Sequence, residues 1–383
     1  MKKMCLLLSC VALMGLFGMG VSYGADMVGS APPDFVLLKQ LPGEDPYWIY
    51  RPIFSPDGKL AAGFMHSPAK IVIWDLEKGT VIKEIEQSVH GMPGLDGWAF
   101  SKDGKMLLLI YRDLPLKFLD YMNGKIVKTL PINADPNKVW DFSFSPDMRL
   151  LALATNTGIK LWDIEKSAEL KVYVKDKAVS GVDIVYYTTP KGQLVRLMAY
   201  GLLLKKEQAK TFKDVAGIIN LDSGSTMIVL NDIPRDKVAS GDTTNLWVSF
   251  ERGGGYLLVA YSVFPPTVKA GAYLINASTG KYLANHNLEN CILAFQAYYL
   301  WKPFYGYLLT TTDMRSEPYK SAMEFLVITK EGGLKVIDAT KQDKIATKSV
   351  TISRDQTRAL ITTKKSQADP SQLFLYKLVP KKK

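Results

Sequence analysis

The stretch "FSPDGKLAAGFMHSPAKIVIWDLEKGT", residues 54–80, contains three short apolar segments separated by two turns. Asp57-Gly58 and Ser67-Pro68 are turn-forming pairs, because glycine tolerates a positive φ and proline presets one corner of a turn. The apolar segments have the composition and length of strands. A sheet fragment this short cannot bury its own apolar face. The stretch therefore predicts that the chain repeats the unit.

Two markers recur in step along the chain, at a spacing of roughly 45 residues over the first three copies. One is the turn Ser55-Pro56-Asp57-Gly58, which returns as Ser101-Lys102-Asp103-Gly104 and Ser145-Pro146-Asp147. The other is a Trp-Asp ending, and fainter copies of both bring each marker to seven. The residues that define the repeat most clearly are Asp57, Gly58, Trp74, Asp75, Asp103, Gly104, Asp147, Trp162 and Asp163.

Four turn-separated strands in each repeat are typical of propeller blades. We therefore predict an all-β fold, a seven-bladed β-propeller of four-stranded antiparallel blades. Residues 33–42, "PDFVLLKQLP", form an apolar segment before the first marker, whereas residues 349–380 offer three strands. The N-terminal segment is predicted to supply the fourth strand of the last blade, which joins the chain ends and removes an open sheet edge. Residues 33–380 are thus expected to form a single domain.

Residues 53–76 and 141–164 resemble WD-repeat sequences, through "IFSPDGKLAAGF…IVIWDL" and "DFSFSPDMRLLALATNTGIKLWDI". The resemblance is strong over residues 50–175 and weakens to a periodic pattern over 176–380. The Gly-His pair that opens a typical repeat is absent, and the Asp that usually precedes the third strand is replaced. The side-chain hydrogen-bond network of the family is therefore expected to be incomplete, with blades held by apolar packing between sheets. The resemblance implies a scaffold that binds proteins.

The N-terminus has the pattern of a secretory signal peptide, residues 1–24. Lys2 and Lys3 precede an apolar run, Met4 to Val21, and small residues stand before a cleavage site ahead of Ala25. We expect an exported protein, periplasmic or secreted, in a bacterium. An uncleaved anchor is the alternative, because the run approaches the ~20 residues that span a bilayer. Only Cys291 remains after cleavage, so the mature chain has no intramolecular disulfide.

Catalytic motifs are poorly supported in the mature chain. Residues 20–24 fit the pattern G-x-S-x-G but lie in the signal peptide, and residues 67–70 fit S-x-x-K but occupy a turn. The histidines His66, His90 and His286 have no partner at metal-ligand spacing. We therefore expect no catalytic residue, no cofactor and no local metal motif.

We predict a non-catalytic exported scaffold that binds another protein. The longer repeats suggest loop inserts near residues 200–214, 261–271 and 311–323, and loops on a rigid scaffold commonly carry binding residues. Tyrosine and tryptophan are enriched at interface hot spots. The predicted contact residues are Tyr299, Trp301, Tyr305, Arg315 and Tyr319.

Two other functions stay open. A propeller enzyme or small-ligand binder, resembling lactonases or quinoproteins, would use the central channel, and four acids lie near its predicted mouth: Asp96, Asp141, Asp183 and Asp242. The formal net charge of +11 suggests attraction to an anionic polymer, although lysines also protect strand edges. Nucleic acid is not expected as a partner, since the aromatic–basic alternation of single-strand binders is missing.

Overall fold

Strands dominate the computed structural model of the chain. The described residues are 33–45, 49–86, 95–111, 116–130, 139–189, 192–205, 207–208, 214–230, 243–251, 254–264, 269–288, 294–300, 306–313, 320–328, 334–338, 347–364, 366 and 368–380. Residues 207 and 208 have helical geometry, just after a strand that ends at Lys205. No helix in this described part is long and apolar enough to span a membrane.

The described strands fall into seven groups of four, called units 1 to 7 in chain order. The N-terminal strand is β1 (Asp34–Asp45). Unit 1 contains β2 (Ile49–Phe54), β3 (Leu60–His66), β4 (Ala69–Asp75) and β5 (Thr80–Glu86). Unit 2 contains β6 (Leu95–Phe100), β7 (Met106–Tyr111), β8 (Leu116–Asp120) and β9 (Lys125–Leu130). Unit 3 contains β10 (Asp141–Phe144), β11 (Leu150–Thr155), β12 (Gly158–Asp163) and β13 (Ala168–Tyr173).

The later units are built in the same order. Unit 4 contains β14 (Val179–Thr188), β15 (Leu194–Lys205), β16 (Ala216–Asn220) and β17 (Thr226–Leu230). Unit 5 contains β18 (Thr243–Phe250), β19 (Tyr256–Phe264), β20 (Lys269–Asn276) and β21 (Tyr282–Leu288). Unit 6 contains β22 (Ala294–Leu300), β23 (Gly306–Asp313), β24 (Lys320–Ile328) and β25 (Leu334–Asp338). Unit 7 contains β26 (Thr347–Ile352), β27 (Arg358–Thr363), β28 (Ser371–Val379) and β1.

Within each unit, neighbouring strands are antiparallel, so the fold is all-β with repeated four-stranded sheets. Units 4 and 5 differ, because the end of β15 pairs with β18 and joins them into one eight-stranded sheet. Gly181 and Gly201 make this approach possible. A Cβ at either position would lie 2.5 Å from the carbonyl oxygen of Leu246 in β18. The hydroxyl of Ser180 bonds both the carbonyl oxygen and the N–H of Leu246, at 3.0 and 2.9 Å.

The predicted pairing of the N-terminal segment with the last unit is present in the structure. β1 runs antiparallel to β28, from Asp34 opposite Val379 to Asp45 opposite Ser371. The strand is longer than the predicted 33–42 and contains an irregularity between Leu37 and Lys39. The two ends of the folded chain therefore share one sheet, and β1 is its outer strand.

Apolar side chains pack each unit against the next. Trp74 of unit 1 is fully buried with Leu373 and Leu375 of unit 7, and Trp162 of unit 3 packs with Leu108 of unit 2. Comparable clusters join units 1 and 2, units 3, 4 and 5, units 5 and 6, and units 6 and 7. Burying a large apolar side chain stabilises a fold by about 1.5–3 kcal/mol, so these contacts between sheets supply much of the stability.

The described ends of the predicted loop inserts in units 5 and 6 are strand, so the expectation was wrong for those residues. Residues 261–264 and 269–271 continue β19 and β20, and residues 311–313 and 320–323 continue β23 and β24. The extra residues make these hairpins longer, because apolar and β-branched residues continue the strand pairing beyond its length in the earlier units. Residues 265–268 and 314–319 lie outside the described part of the chain.

Candidate functional site

The first strands of most units line a common cavity of about 740 Å³. Its walls come from the first strands β2, β6, β10, β14, β18 and β26, with Leu258 and Ala260 of β19, so strands from both ends of the chain meet there. Two of the turns that follow first strands also reach it, through Pro146 and Arg354. The volume is within the range of small-molecule sites. The cavity is therefore the candidate site for a ligand.

Two carboxylates lie in the cavity wall and link neighbouring units. Asp141 opens β10, and its Oδ2 accepts a hydrogen bond from the backbone N–H of Val182 in β14 at 3.1 Å. Asp183 lies in β14, and its Oδ2 accepts one from the N–H of Phe250 in β18 at 2.8 Å. These first strands do not pair with one another, so side chains supply the hydrogen bonds between them.

Ser143 completes the link between units 3 and 4. Its hydroxyl donates to Asp183 Oδ1 at 3.1 Å and accepts a hydrogen bond from the N–H of Ile184 at 3.1 Å. Both oxygens of Asp183 therefore have protein donors. The Asp141 carboxyl accepts backbone hydrogen bonds from Val182 and Phe142. Both carboxyls line the cavity, and Asp141 has the Arg51 guanidinium as a charged neighbour.

The surroundings of both carboxyls disfavour negative charge. Enclosure by protein raises the pKa of Asp141 to about 6, against the opposing effect of the nearby Arg51 guanidinium. Enclosure also raises the pKa of Asp183 to about 6. The hydrogen bonds from Phe250 and Ser143 oppose this rise, and the negative charge of Asp141 adds to it. Carboxyls that titrate near neutrality in a cavity are typical of functional sites.

Cationic and aromatic side chains complete the walls. The Arg51 guanidinium lies 5.9 Å from the ring centre of Phe142. Arg51 also has a φ of 40°, a left-handed conformation that costs energy in a residue other than glycine. On the turn side, Arg354 of unit 7 donates to the carbonyl of Pro146 in unit 3 at 3.5 Å. The indole of Trp247 adds an apolar surface.

The four predicted channel acids have different outcomes. Asp141 and Asp183 are brought together in the cavity wall. Asp96 lies in β6, where the structure describes its backbone, and Asp242 lies outside the described residues. Arg51 was not predicted, although a signal was present: it stands four residues before Ser55, as Asp141 stands four before Ser145.

The predicted protein-contact residues fall mostly outside the described part of the chain. Tyr299 lies in strand β22, opposite Tyr307 of β23, and not in a loop. Trp301, Tyr305, Arg315 and Tyr319 are among the residues that the structure does not describe.

The residues that define the repeat form turns and core. The Ser55 hydroxyl donates to Asp57 Oδ1 at 2.6 Å, and Ser101 donates to Asp103 at the same distance. Asp147 accepts from Ser145 in the same way. The turn glycines Gly58 and Gly104 have φ values of 69° and 72°.

The Trp-Asp endings have two separate roles. Asp75 accepts hydrogen bonds from the N–H groups of Glu77 and Lys78, and Asp163 from that of Lys166, which holds the turn that follows. The Trp74 indole donates to the backbone carbonyl of Pro42 in β1 at 2.8 Å. The buried indole N–H of Trp162 has no hydrogen-bond partner among the described residues. Within the described part of the chain, neither indole N–H therefore donates to a side-chain acceptor.

No group of three or more His, Cys, Asp and Glu that could hold a metal ion is found in the described part of the chain. No protein-family model matches the sequence. A comparison with curated proteins also gives no significant match.

Proposed function

We propose that the chain is a closed seven-bladed propeller of the WD-repeat type, with units 1 to 7 as blades and residues 33–380 as one domain. Support comes from the apolar clusters, which pack every unit against the next and unit 7 against unit 1. The shared cavity between first strands is the feature expected of a central channel. The signal-peptide pattern of residues 1–24 supports export of this domain.

We further propose that the protein binds a small polar ligand in this cavity and does not transform it. The observation that carries the proposal is the pair of carboxyls, Asp141 and Asp183, at the wall of a cavity of ligand size, where enclosure raises the pKa of each to about 6. A ligand amine would meet the Asp141 carboxyl, and a flat part of the same molecule would pack on Trp247, since both residues line the cavity. A positive group beside the carboxyls favours their ionised forms. Ligand binding is therefore expected to strengthen as pH rises from 5 to 7.

The test is calorimetric titration of the mature chain with a panel of small primary amines, amino acids and dicarboxylates, at both pH values. We expect an amine-bearing compound to bind, and Asp141→Asn to weaken it at least tenfold. Asp176→Asn is the matched control, because Asp176 is exposed, lies away from the cavity and has a φ of 63° that asparagine adopts readily. Binding that is equally strong in Asp141→Asn and wild type would refute the site.

A second proposed function is that of a non-catalytic protein-interaction scaffold. Exposed large apolar side chains favour it, because they concentrate on the outer strands of several units. They include Ile82 on β5, Ile126 and Val127 on β9, and Leu170 on β13. Exposed apolar surface is common at protein interaction sites.

Its test is capture of proteins from an envelope extract of the host by the mature chain, at low and high salt. A stoichiometric partner retained at high salt would support the scaffold. Alanine replacement of Tyr299, Trp301, Tyr305, Arg315 and Tyr319 would then test the predicted contact residues. Retention of only salt-labile polyanions would instead favour polymer binding.

A further inference from the structure

The wall of the cavity carries charges of both signs. Among the described residues that line it, the charged side chains are Arg51, Asp141, Asp183 and Arg354. They belong to units 1, 3, 4 and 7, so the fold gathers them and no local sequence motif does. A ligand with an amine alone would pair with only one sign of this wall. A ligand that also carries a negative group can pair with both.

An irregularity in β2 places Arg51 in the wall. The pairing of β2 with β3 shifts its register between Tyr50 and Ile53, and Arg51 lies inside this irregularity with a φ of 40°. Bulges redirect a side chain and are common next to active sites. A left-handed conformation in a residue other than glycine persists only where the surrounding structure fixes it. The backbone of β2 is therefore distorted at the residue that contributes a positive charge to the cavity.

An aromatic ring from another unit holds the Arg51 guanidinium. The guanidinium lies 5.9 Å from the ring centre of Phe142 in β10, within the range of a cation–π contact. Gly97 in β6 leaves room for this ring, because a Cβ there would lie 2.0 Å from Cε1 of Phe142. The Arg51 charge also acts to lower the pKa of Asp141, the residue before Phe142. Three units thus hold one positive and one negative group close together.

One position of the repeat carries several of these groups. In four units the N–H of the fourth residue of the marker turn donates to the carbonyl of the first at 2.8 Å, so the turns are equivalent. The residue four positions before the first residue of the turn is Arg51 in unit 1, Gly97 in unit 2, Asp141 in unit 3 and Trp247 in unit 5. A cation, an anion and an indole therefore occupy one position of the repeat, and all three line the cavity.

We propose that the ligand of the cavity is an α-amino acid with a flat side chain, whose ammonium pairs with Asp141 and whose carboxylate pairs with Arg51. One carbon carries both charged groups in such a ligand, which suits a carboxyl and a guanidinium that lie close together. The planar guanidinium donates two parallel hydrogen bonds to a carboxylate, a strong charge-assisted pair. The side chain packs on the indole of Trp247. The inference rests on the small amine ligand proposed above and adds its second charged group.

Calorimetric titration at pH 7 with two series of related compounds tests the second charge. The chain from Ala25 to Lys383, which contains every described strand, is titrated with L-phenylalanine, with phenethylamine, which lacks the carboxylate, and with 3-phenylpropanoate, which lacks the amine. L-Tryptophan, tryptamine and 3-indolepropanoate form the second series. In at least one series we expect the amino acid to bind about tenfold more tightly than either relative, because only the amino acid makes both charged pairs.

Arg51→Lys separates the two charged pairs. It keeps a positive charge beside Asp141 but removes the planar donor pair that fits a carboxylate. The variant should reduce the preference for the amino acid over the amine to about twofold, with binding of the amine unchanged. Arg358→Lys is the matched control, because the Arg358 guanidinium lies 5.8 Å from the ring centre of Phe54 in a similar contact but away from the cavity wall. The control should bind like wild type.

The possible outcomes distinguish this inference from the proposed amine site. Equal binding of amino acid and amine, or full preference for the amino acid in Arg51→Lys, would overturn the inference and leave the amine site standing. The same holds if another primary amine binds and no compound of the two series does. If no amine binds at all, both proposals fail. Circular dichroism establishes that each variant is folded.

Discussion

Asp183 Oδ2 accepts a hydrogen bond from the backbone N–H of Phe250 at 2.8 Å, across the boundary between units 4 and 5. Asp141 makes the equivalent contact with Val182, from unit 3 to unit 4. The carboxylates at the cavity wall thus hold first strands in place as well as offering charge to a ligand. The two roles can be separated by substitutions that keep or remove an acceptor.

Replacement of Asp183 by alanine is expected to destabilise the fold more than replacement by asparagine. Alanine leaves the Phe250 N–H and the Ser143 hydroxyl without an acceptor, at a cost of about 1–3 kcal/mol for a buried polar group. Asparagine keeps one oxygen acceptor for Phe250. Urea unfolding at pH 7 measures both variants. Equal loss in alanine and asparagine variants would mean that the charge of Asp183, and not its acceptor, matters for stability.

The cavity carboxyls also predict how stability depends on pH. Their pKa values are raised from 3.8 to about 6 in the folded protein, so between these values the folded state holds protons that the unfolded state has released. The free energy of unfolding should therefore fall as pH rises from 4 to 6, by on the order of 2 kcal/mol for each group. The charged residues beside the pair in the cavity wall are Arg51 and Arg354.

The aspartates of the repeated turns affect the stability of the fold at lower pH than the cavity carboxyls do. Ser55 and Ser101 lower the pKa values of Asp57 and Asp103 by hydrogen bonding, so the stability that these two acids contribute is lost as pH falls below about 4.

Thermal unfolding at pH 4.5 and pH 7 checks the contribution of the cavity carboxyls to stability. The double variant Asp141→Asn with Asp183→Asn should flatten the slope between pH 4 and 6. An unchanged slope in that variant would contradict the assignment to these two groups.

The repeat was predictable because its signals are local. Asp-Gly turns with a positive φ at Gly58 and Gly104 involve residues within a few positions of one another, and turns with a positive φ recur after the first strands of later units, at Met148, Gly254 and Gln356. The merger of units 4 and 5 was not predictable in this way. It depends on Gly181 and Gly201 meeting Leu246, which lies far away in the sequence.

The candidate site was predictable in part for the same reason. Asp141 and Asp183 were expected near the channel because of their position in the repeat. Their donors Val182 and Phe250 come from other units, 41 and 67 residues away, and no local pattern marks such pairs.

Some of the lysine excess holds neighbouring units together. Lys171 of unit 3 donates to the carbonyl of Gly224 in unit 4 at 3.0 Å, and its ammonium lies 4.6 Å from the ring centre of Tyr173. Lys128 makes a comparable contact with Ile164 of unit 3 at 3.1 Å, and Lys39 of β1 contacts the carbonyl of Glu77 in unit 1. The outer strands therefore use lysine to reach the next unit.

Substitution of Lys171 by methionine should lower the free energy of unfolding by about 0.5–1.5 kcal/mol, because it removes a hydrogen bond and a cation–π contact at an exposed site. Lys175→Met is the control, because Lys175 is exposed and follows the same strand. Urea unfolding of the two variants checks the prediction. A loss in Lys175→Met as large as that in Lys171→Met would point to a general effect of charge.

Met148 occupies the place in the third marker turn that Gly58 and Gly104 occupy in the first two. Its φ is 60°, and its N–H donates to the carbonyl of Ser145 at 2.8 Å, as that of Gly104 does to Ser101. A left-handed conformation costs a residue with a Cβ roughly 1–2 kcal/mol, whereas glycine adopts it freely. Glycine also loses more entropy on folding, which offsets part of the gain.

Met148→Gly is therefore expected to raise the free energy of unfolding by about 0.5–1 kcal/mol. Gly104→Met should lower it by a similar amount, because the conformation is the same and the nearest atom to a Cβ there, Cδ of Pro56, leaves room at 3.7 Å. Reversible urea unfolding at pH 7 measures both. Met148→Asn is an intermediate case, since asparagine tolerates this conformation better than methionine. Destabilisation by Met148→Gly would show that packing of the methionine side chain outweighs the strain of its backbone.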